Sequence, residues 1–254
     1  MTGMQREVPC IGTPRTGQAL EMVHALVEDG PIPPEVMARC LEPDAAARRA
    51  EVAARVLRED WADQGRYERD NAAIVASGWR PEIVFMGDSI TEIWPHADPQ
   101  LFRDGRVCRG IAGQTTPQML LRFHADVIDL RPHALHLMGG GNDIVGNTGP
   151  TTLQRYQHNV LAMTALAGLH GIRVILGGIA PSKYSRHGSD RLAWVIAVND
   201  WLRDLARERS FTFVDYFTPL RDADGGMRAG LANDEVHPNR RGYVAMRAAL
   251  ERVL

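Results

Sequence analysis

Residues 85–94 read FMGDSITEIW, and their parsing decides the fold. The apolar run Ile83, Val84, Phe85, Met86 ends in Gly87, Asp88 and Ser89. A strand-length run that stops at such a cluster reads as a β-strand, a tight turn and the start of a helix. Asp or Ser at that junction is a good helix N-cap. A serine at the carboxyl end of a strand is also well placed to be a nucleophile. Taken alone, the stretch leaves both readings open.

The same pattern recurs along the chain from about residue 80. EIVFMG, RVCRGI, ALHLMG, IRVILGGI and FTFVDYF read as strands. TTPQMLLRFHADVIDL, TTLQRYQHNVLAMTALAGLH, SDRLAWVIAVNDWLRDLARER and NRRGYVAMRAALERVL carry helical apolar spacing. Short apolar strands alternating with amphipathic helices predict an α/β fold, a parallel sheet of about five strands covered on both faces. The active site of such a sheet lies outside the carboxyl ends of its strands.

Residues 1–75 contain no convincing strand. TGQALEMVHALVEDG, PPEVMARCLE and the Ala/Arg/Glu-rich stretch from Asp44 onward read as helices, the last broken near Gly65. A stripe of Val52, Val56, Leu57 and Trp61 is expected to pack on something. So short a segment is poorly equipped to bury a core of its own. It is expected to be a helical extension packed on a main domain spanning residues 76–254.

The chain has 254 residues, 44% of them hydrophobic and 24% charged, with a formal net charge of -2. That balance suits a soluble globular domain and gives no basic field for nucleic acid. No apolar stretch approaches a membrane span. Cys10, Cys40 and Cys108 are an odd, scattered set without a zinc-binding spacing, and the N-terminus lacks a secretory signal pattern. A cytoplasmic location with free thiols is the expectation.

Four segments fall where the fold places an active site. Ser89 follows the first strand, Gly113 in RGIAGQTT the second, and Asn142 in GGGNDIVGN the third. Asp234 and His237, in NDEVHPNRRGY, follow the fifth strand and precede the last helix. A serine hydroxyl needs an adjacent base, and imidazole titrates near neutrality. Asp234, three residues before His237, is positioned to hold the ring N–H. The N–H groups of Ser89 and Gly113 and the Asn142 amide could receive an oxyanion. Bland readings stand beside these: Asn142 as a turn residue, Asp234 as the cap of the last helix.

GDS, GIAG, GGND and DEVHPN, in this order, resemble the four sequence blocks of the SGNH (GDSL-type) hydrolases. The resemblance covers about residues 80–254. RGIAGQTTPQMLLRF and NDIVGNTGPTTL are similar to the branch holding platelet-activating-factor acetylhydrolase-like and carbohydrate acetylesterase-like proteins. The resemblance implies a flavodoxin-like three-layer α/β/α sandwich, a serine esterase mechanism and no metal or other cofactor. It assigns nucleophile to Ser89, acid–base work to His237 and Asp234, and the oxyanion hole to Ser89, Gly113 and Asn142. It also implies a small ester substrate with a short acyl group such as acetyl, an acetylated carbohydrate among the candidates. A thioesterase or lysophospholipase using the same site is the alternative, and a non-catalytic binding protein on the same fold a further one.

Two departures stand out. Ile90 replaces the Leu of the family name and should pack inward. Cys108 stands where the branch often has Asn, which puts in doubt one hydrogen bond behind the oxyanion loop. His187, in the polar loop APSKYSRHGSD after the fourth strand, and Trp94 are candidate substrate contacts. A homo-oligomer is left open. GGGNDIVG lacks the last glycine of a dinucleotide fingerprint, and GDSIT lacks the second glycine of a Gly-x-Ser-x-Gly elbow.

Overall fold

The computed structural model describes residues 17–103, 105–183 and 191–254. Its sheet has strands β1 (Ile83–Gly87), β2 (Arg106–Gly110), β3 (Ala134–Met138), β4 (Arg173–Gly177) and β5 (Thr212–Val214). All neighbours pair in parallel, in the order β2-β1-β3-β4-β5. This is the flavodoxin-like order, whose direction reverses between β1 and β3. Ligands bind at that crevice, and both β1 and β3 lead into motif residues.

The helices are α1 (Gly17–Val27), α2 (Pro34–Leu41), α3 (Pro43–Glu59), α4 (Glu68–Ser77), α5 (Ser89–Ala97), α6 (Thr116–Phe123), α7 (Gly141–Ile144), α8 (Leu153–Leu169), α9 (Arg191–Arg209), α10 (Phe217–Leu220) and α11 (Arg240–Glu251). Alternation along each strand feeds two cores. Val84, Met86, Leu135, Leu137, Val174 and Leu176 face a layer of α4, α6, α8 and α9. Ile83, Phe85, Ala134, Met138 and Ile175 face α1, α5 and α11. None of the described helices is long and apolar enough to cross a membrane.

His136 lies inside the second core, fully buried, with Nε2 2.9 Å from Tyr216 Oη. Burial pushes its pKa down to about 3, so the ring stays neutral.

Among the described residues, the segment before β1 is helical, and two of its helices join these cores. Val23, Leu26 and Val27 of α1 pack into the second, and Ile74 of α4 into the first. The expected stripe on α3 behaves differently. Val52, Leu57 and Trp61 are exposed, and only Val56 is half-buried. Four residues at helical spacing mark which face of a helix is apolar and not whether a neighbour covers it. The chain leaves α3 at Asp60, and a left-handed Asp63 (φ 50°) starts the 3-10 turn Gln64–Tyr67 that contains Gly65.

Candidate active site

The turn between β1 and α5 is built by close approach. A Cβ on Gly87 would lie 2.1 Å from Thr91 Oγ1 and 2.5 Å from the Met138 carbonyl. Only glycine lets α5 begin so near the end of β3. Asp88 is extended, and its carboxylate accepts the Ile90 N–H at 3.0 Å. Capping therefore belongs to Asp88, and Ser89 is the first residue of the helix. The two readings of the motif fall on adjacent residues. Ser89 gains a helix N-terminus, whose free N–H groups and dipole favour negative charge.

Ser89 Oγ–H donates to His237 Nε2 at 2.9 Å. His237 Nδ1–H donates to Asp234 Oδ2 at 2.7 Å. These directions follow from the partners: a carboxylate only accepts, so Nδ1 carries the proton and Nε2 is left as acceptor. The other carboxylate oxygen, Oδ1, accepts the N–H groups of Val236 at 2.8 Å and His237 at 2.6 Å. Burial raises the Asp234 pKa, but the hydrogen bonds and charge of His237 outweigh it and leave the group below its ordinary value. Asp234 does not cap α11. Asn239 does, accepting the Gly242 N–H at 3.1 Å.

Gly113 is left-handed (φ 80°), a conformation L side chains rarely adopt. Asn142, at the head of α7, donates Nδ2–H to the Gln114 carbonyl at 3.0 Å. Asn147 Nδ2 donates to Asn142 Oδ1 at 2.9 Å and to the Gly113 carbonyl at 3.0 Å. The Asn142 carbonyl is thus occupied, which fixes its NH2 group toward the loop and the cleft. One Nδ2 hydrogen remains for a ligand. Asp143 holds the two loops together by accepting the Thr116 N–H at 3.0 Å.

These groups line one cleft of about 540 Å³. Its apolar walls include Ile90, Met138, Val145, Ile179, Ala180 and Val236, with Arg191 and Ser182 adding polarity. Arg191 is 6% exposed and donates to the Gly141 carbonyl at 3.3 Å. Among the described residues no group of three or more His, Cys, Asp or Glu side chains could hold a metal ion.

Asp88, under the cleft, is buried, and burial pushes its pKa up to about 6 despite the Ile90 N–H and the nearby His237. Cys108 Sγ–H donates to the Thr91 carbonyl at 3.3 Å, so a thiol bonds the first turn of α5 from behind. Ile90 packs inward as expected.

Trp94 corrects an expectation. It is fully buried, edge-on to Phe85 at 5.8 Å and Tyr216 at 5.8 Å, and does not reach the cleft. The signal was present: Ile90, Ile93, Trp94 and Ala97 form an i, i+3, i+4, i+7 stripe, which is the core face of α5. His187 lies outside the described residues. Asn147 and Arg191 went unnoticed in the sequence. The second Asn of GGGNDIVGN was the only pointer to the former, and nothing local distinguished the latter.

Comparison with known proteins agrees with this architecture. The family model for GDSL-like Lipase/Acylhydrolase matches residues 85–245, well over half the chain. A GDSL-like lipase of Bacteroides thetaiotaomicron VPI-5482 superposes with a TM-score of 0.71 at 33% identity, covering 76% of this chain and 97% of that one. An acetylxylan esterase of Geobacillus stearothermophilus shares the fold at 19% identity, with a TM-score of 0.57 over 67% of this chain and 92% of its own. The uncharacterized lipoprotein YqeF of Bacillus subtilis (strain 168) is 31% identical over an alignment of 137 residues that covers 46% of this chain and 56% of that protein. The chain belongs to the GDSL-like lipase/acylhydrolase family, a family of carboxylic ester hydrolases.

Proposed function

We propose that the chain hydrolyses carboxylic esters by acyl transfer through Ser89, and that the acyl group is short, such as acetyl. The observation that carries this reading is the continuous relay from Ser89 Oγ through His237 to Asp234 beside Gly113 and Asn142. Ser89 Oγ attacks the ester carbonyl carbon while its proton passes to His237 Nε2. Asp234 stabilises the resulting imidazolium. The carbonyl oxygen becomes an oxyanion facing the N–H groups of Ser89 and Gly113 and the free Nδ2 hydrogen of Asn142. The C–O bond then breaks, and the alcohol leaves with the proton from His237. Water attacks the acyl-serine with His237 again as base, releasing the carboxylic acid and restoring Ser89.

The short-acyl part rests on the similarity of residues 109–123 and 142–153 to acetylhydrolase-like sequences. The modest cleft supports it, because acyl and alcohol halves must share about 540 Å³. An acetylated carbohydrate fits the open, partly polar cleft as the alcohol side. We assign the chemistry to residues 76–254, the preceding helices serving as a brace, and place the protein in the cytoplasm on its odd cysteine count. Rates on p-nitrophenyl esters from C2 to C12, with acetylated sugars alongside, test the reading. A maximum at C2–C4 is expected, and one at C8 or beyond overturns the short-acyl assignment in favour of a lysophospholipase-like preference.

A further inference from the structure

The oxyanion loop after β2 is not held by the sheet alone. Four contacts tie residues 110–118 to the segment 61–67, which lies outside the stretch matched by the family model. Tyr67 Oη–H donates to the Gly110 carbonyl. Gln114 Nε2 donates to the Ala62 carbonyl at 2.6 Å, and Gln118 Nε2 to the Trp61 carbonyl at 2.7 Å. The fourth contact runs through α5. Glu92 Oε2 accepts the Ala112 N–H at 2.7 Å, and Glu92 Oε1 accepts Arg66 Nη2–H at 2.9 Å.

We propose that Arg66 and Glu92 are positioning residues of the oxyanion hole, through which the segment before β1 sets the turnover rate. Glu92 grips the Ala112 N–H, one peptide before the one that carries the Gly113 N–H, so its carboxylate anchors the turn from which the Gly113 N–H points. The same loop holds Asn142 through the Gln114 carbonyl and Asn147 through the Gly113 carbonyl, so two of the three oxyanion donors depend on it. Glu92 is 7% exposed, and a carboxylate so buried keeps its place only when compensated. Arg66, 22% exposed, supplies that compensation from the N-terminal segment. Arg66 touches neither Ser89 nor the cleft, and it acts through Glu92.

This inference rests on the ester-hydrolase reading, and the test separates the two. Arg66→Ala, Arg66→Lys, Glu92→Gln and the Arg66→Ala/Glu92→Gln double variant are assayed on p-nitrophenyl acetate, with Ser89→Ala as the inactive control. Because each oxyanion donor is worth roughly 100- to 1000-fold, partial misplacement should lower kcat about 10-fold with KM little changed. The Ki of phenylboronic acid, whose tetrahedral adduct on serine carries an oxygen in the same place, should rise in parallel. Arg66→Lys should recover most of the loss. The double variant should lose no more than Glu92→Gln alone, because one residue acts through the other. Additive losses, or unchanged kcat and boronate Ki in variants that only melt earlier, would show a structural role and overturn the proposal while leaving the esterase reading intact. A wild type inert on every ester overturns both.

Discussion

At the scale of single residues, the site separates groups that react from groups that aim them. In the proposed mechanism Ser89 takes the acyl group and His237 carries the Oγ proton to the leaving alcohol, so replacing either by Ala should lower kcat on p-nitrophenyl acetate about 1000-fold or more. Asp234 orients the ring and answers its charge, while two backbone N–H bonds hold its loop. Asp234→Ala should therefore cost less than His237→Ala. Equal losses for Asp234→Ala and His237→Ala would contradict that ranking.

Asp88 gives a prediction of a different kind. Its folded pKa of about 6 lies above its ordinary value, so the folded protein binds a proton there more tightly than the unfolded chain. Stability from this group is fully present below pH 4 and is lost as pH rises through about 6. Asp88→Asn keeps the oxygen that accepts the Ile90 N–H and removes the charge. Urea unfolding should find this variant more stable than wild type at pH 7.5, by about 1–3 kcal/mol, with the gap closing toward pH 4. A variant less stable than wild type at pH 7.5 would mean that the Asp88 carboxylate is stabilised by partners stronger than its desolvation.

At the scale of elements, the strands were legible because each is an apolar run closed by Gly or a turn residue. The candidate site was legible in the same way, since a parallel sheet collects residues from separate loops at one edge. Trp94 lies five residues beyond Ser89, but the period of α5 turns it into the core and away from the cleft. The α3 stripe was misread because amphipathic spacing says which face is apolar and not whether a neighbour has room for it. The second Asn of GGGNDIVGN hints at Asn147, but its role appears only in three dimensions, where it occupies the side-chain carbonyl of Asn142.

The exposed stripe predicts that Val52→Lys and Leu57→Lys shift stability by less than about 0.5 kcal/mol each. A loss above about 2 kcal/mol would show that this face is covered in the folded protein. Trp94→Ala should instead destabilise by about 3–5 kcal/mol. Its KM for short esters should stay near the wild-type value wherever the variant remains folded, and a selective rise in KM would return Trp94 to the substrate site.

At the scale of the whole molecule, the segment before β1 meets the rest of the chain at two places beside the candidate cleft. At one, the 61–67 stretch holds the loop after β2 that carries Gly113. At the other, Asn233 Nδ2 donates to the carbonyls of Ala25, Leu26 and Glu28 at the end of α1, next to Asp234. Composition and helical spacing revealed that this segment is helical. They did not reveal these tethers, because backbone carbonyls such as those of Trp61 and Ala62 leave no mark in a sequence.

The most direct test of the central claim is peptide mass spectrometry after treatment with a fluorophosphonate, which phosphonylates an activated serine. One adduct per chain on the peptide containing Ser89, appearing in step with loss of ester hydrolysis and slowed severely in His237→Ala, is the predicted result. Hydrolysis that persists without an adduct on Ser89, or an adduct on another residue that accounts for the inhibition, would contradict it.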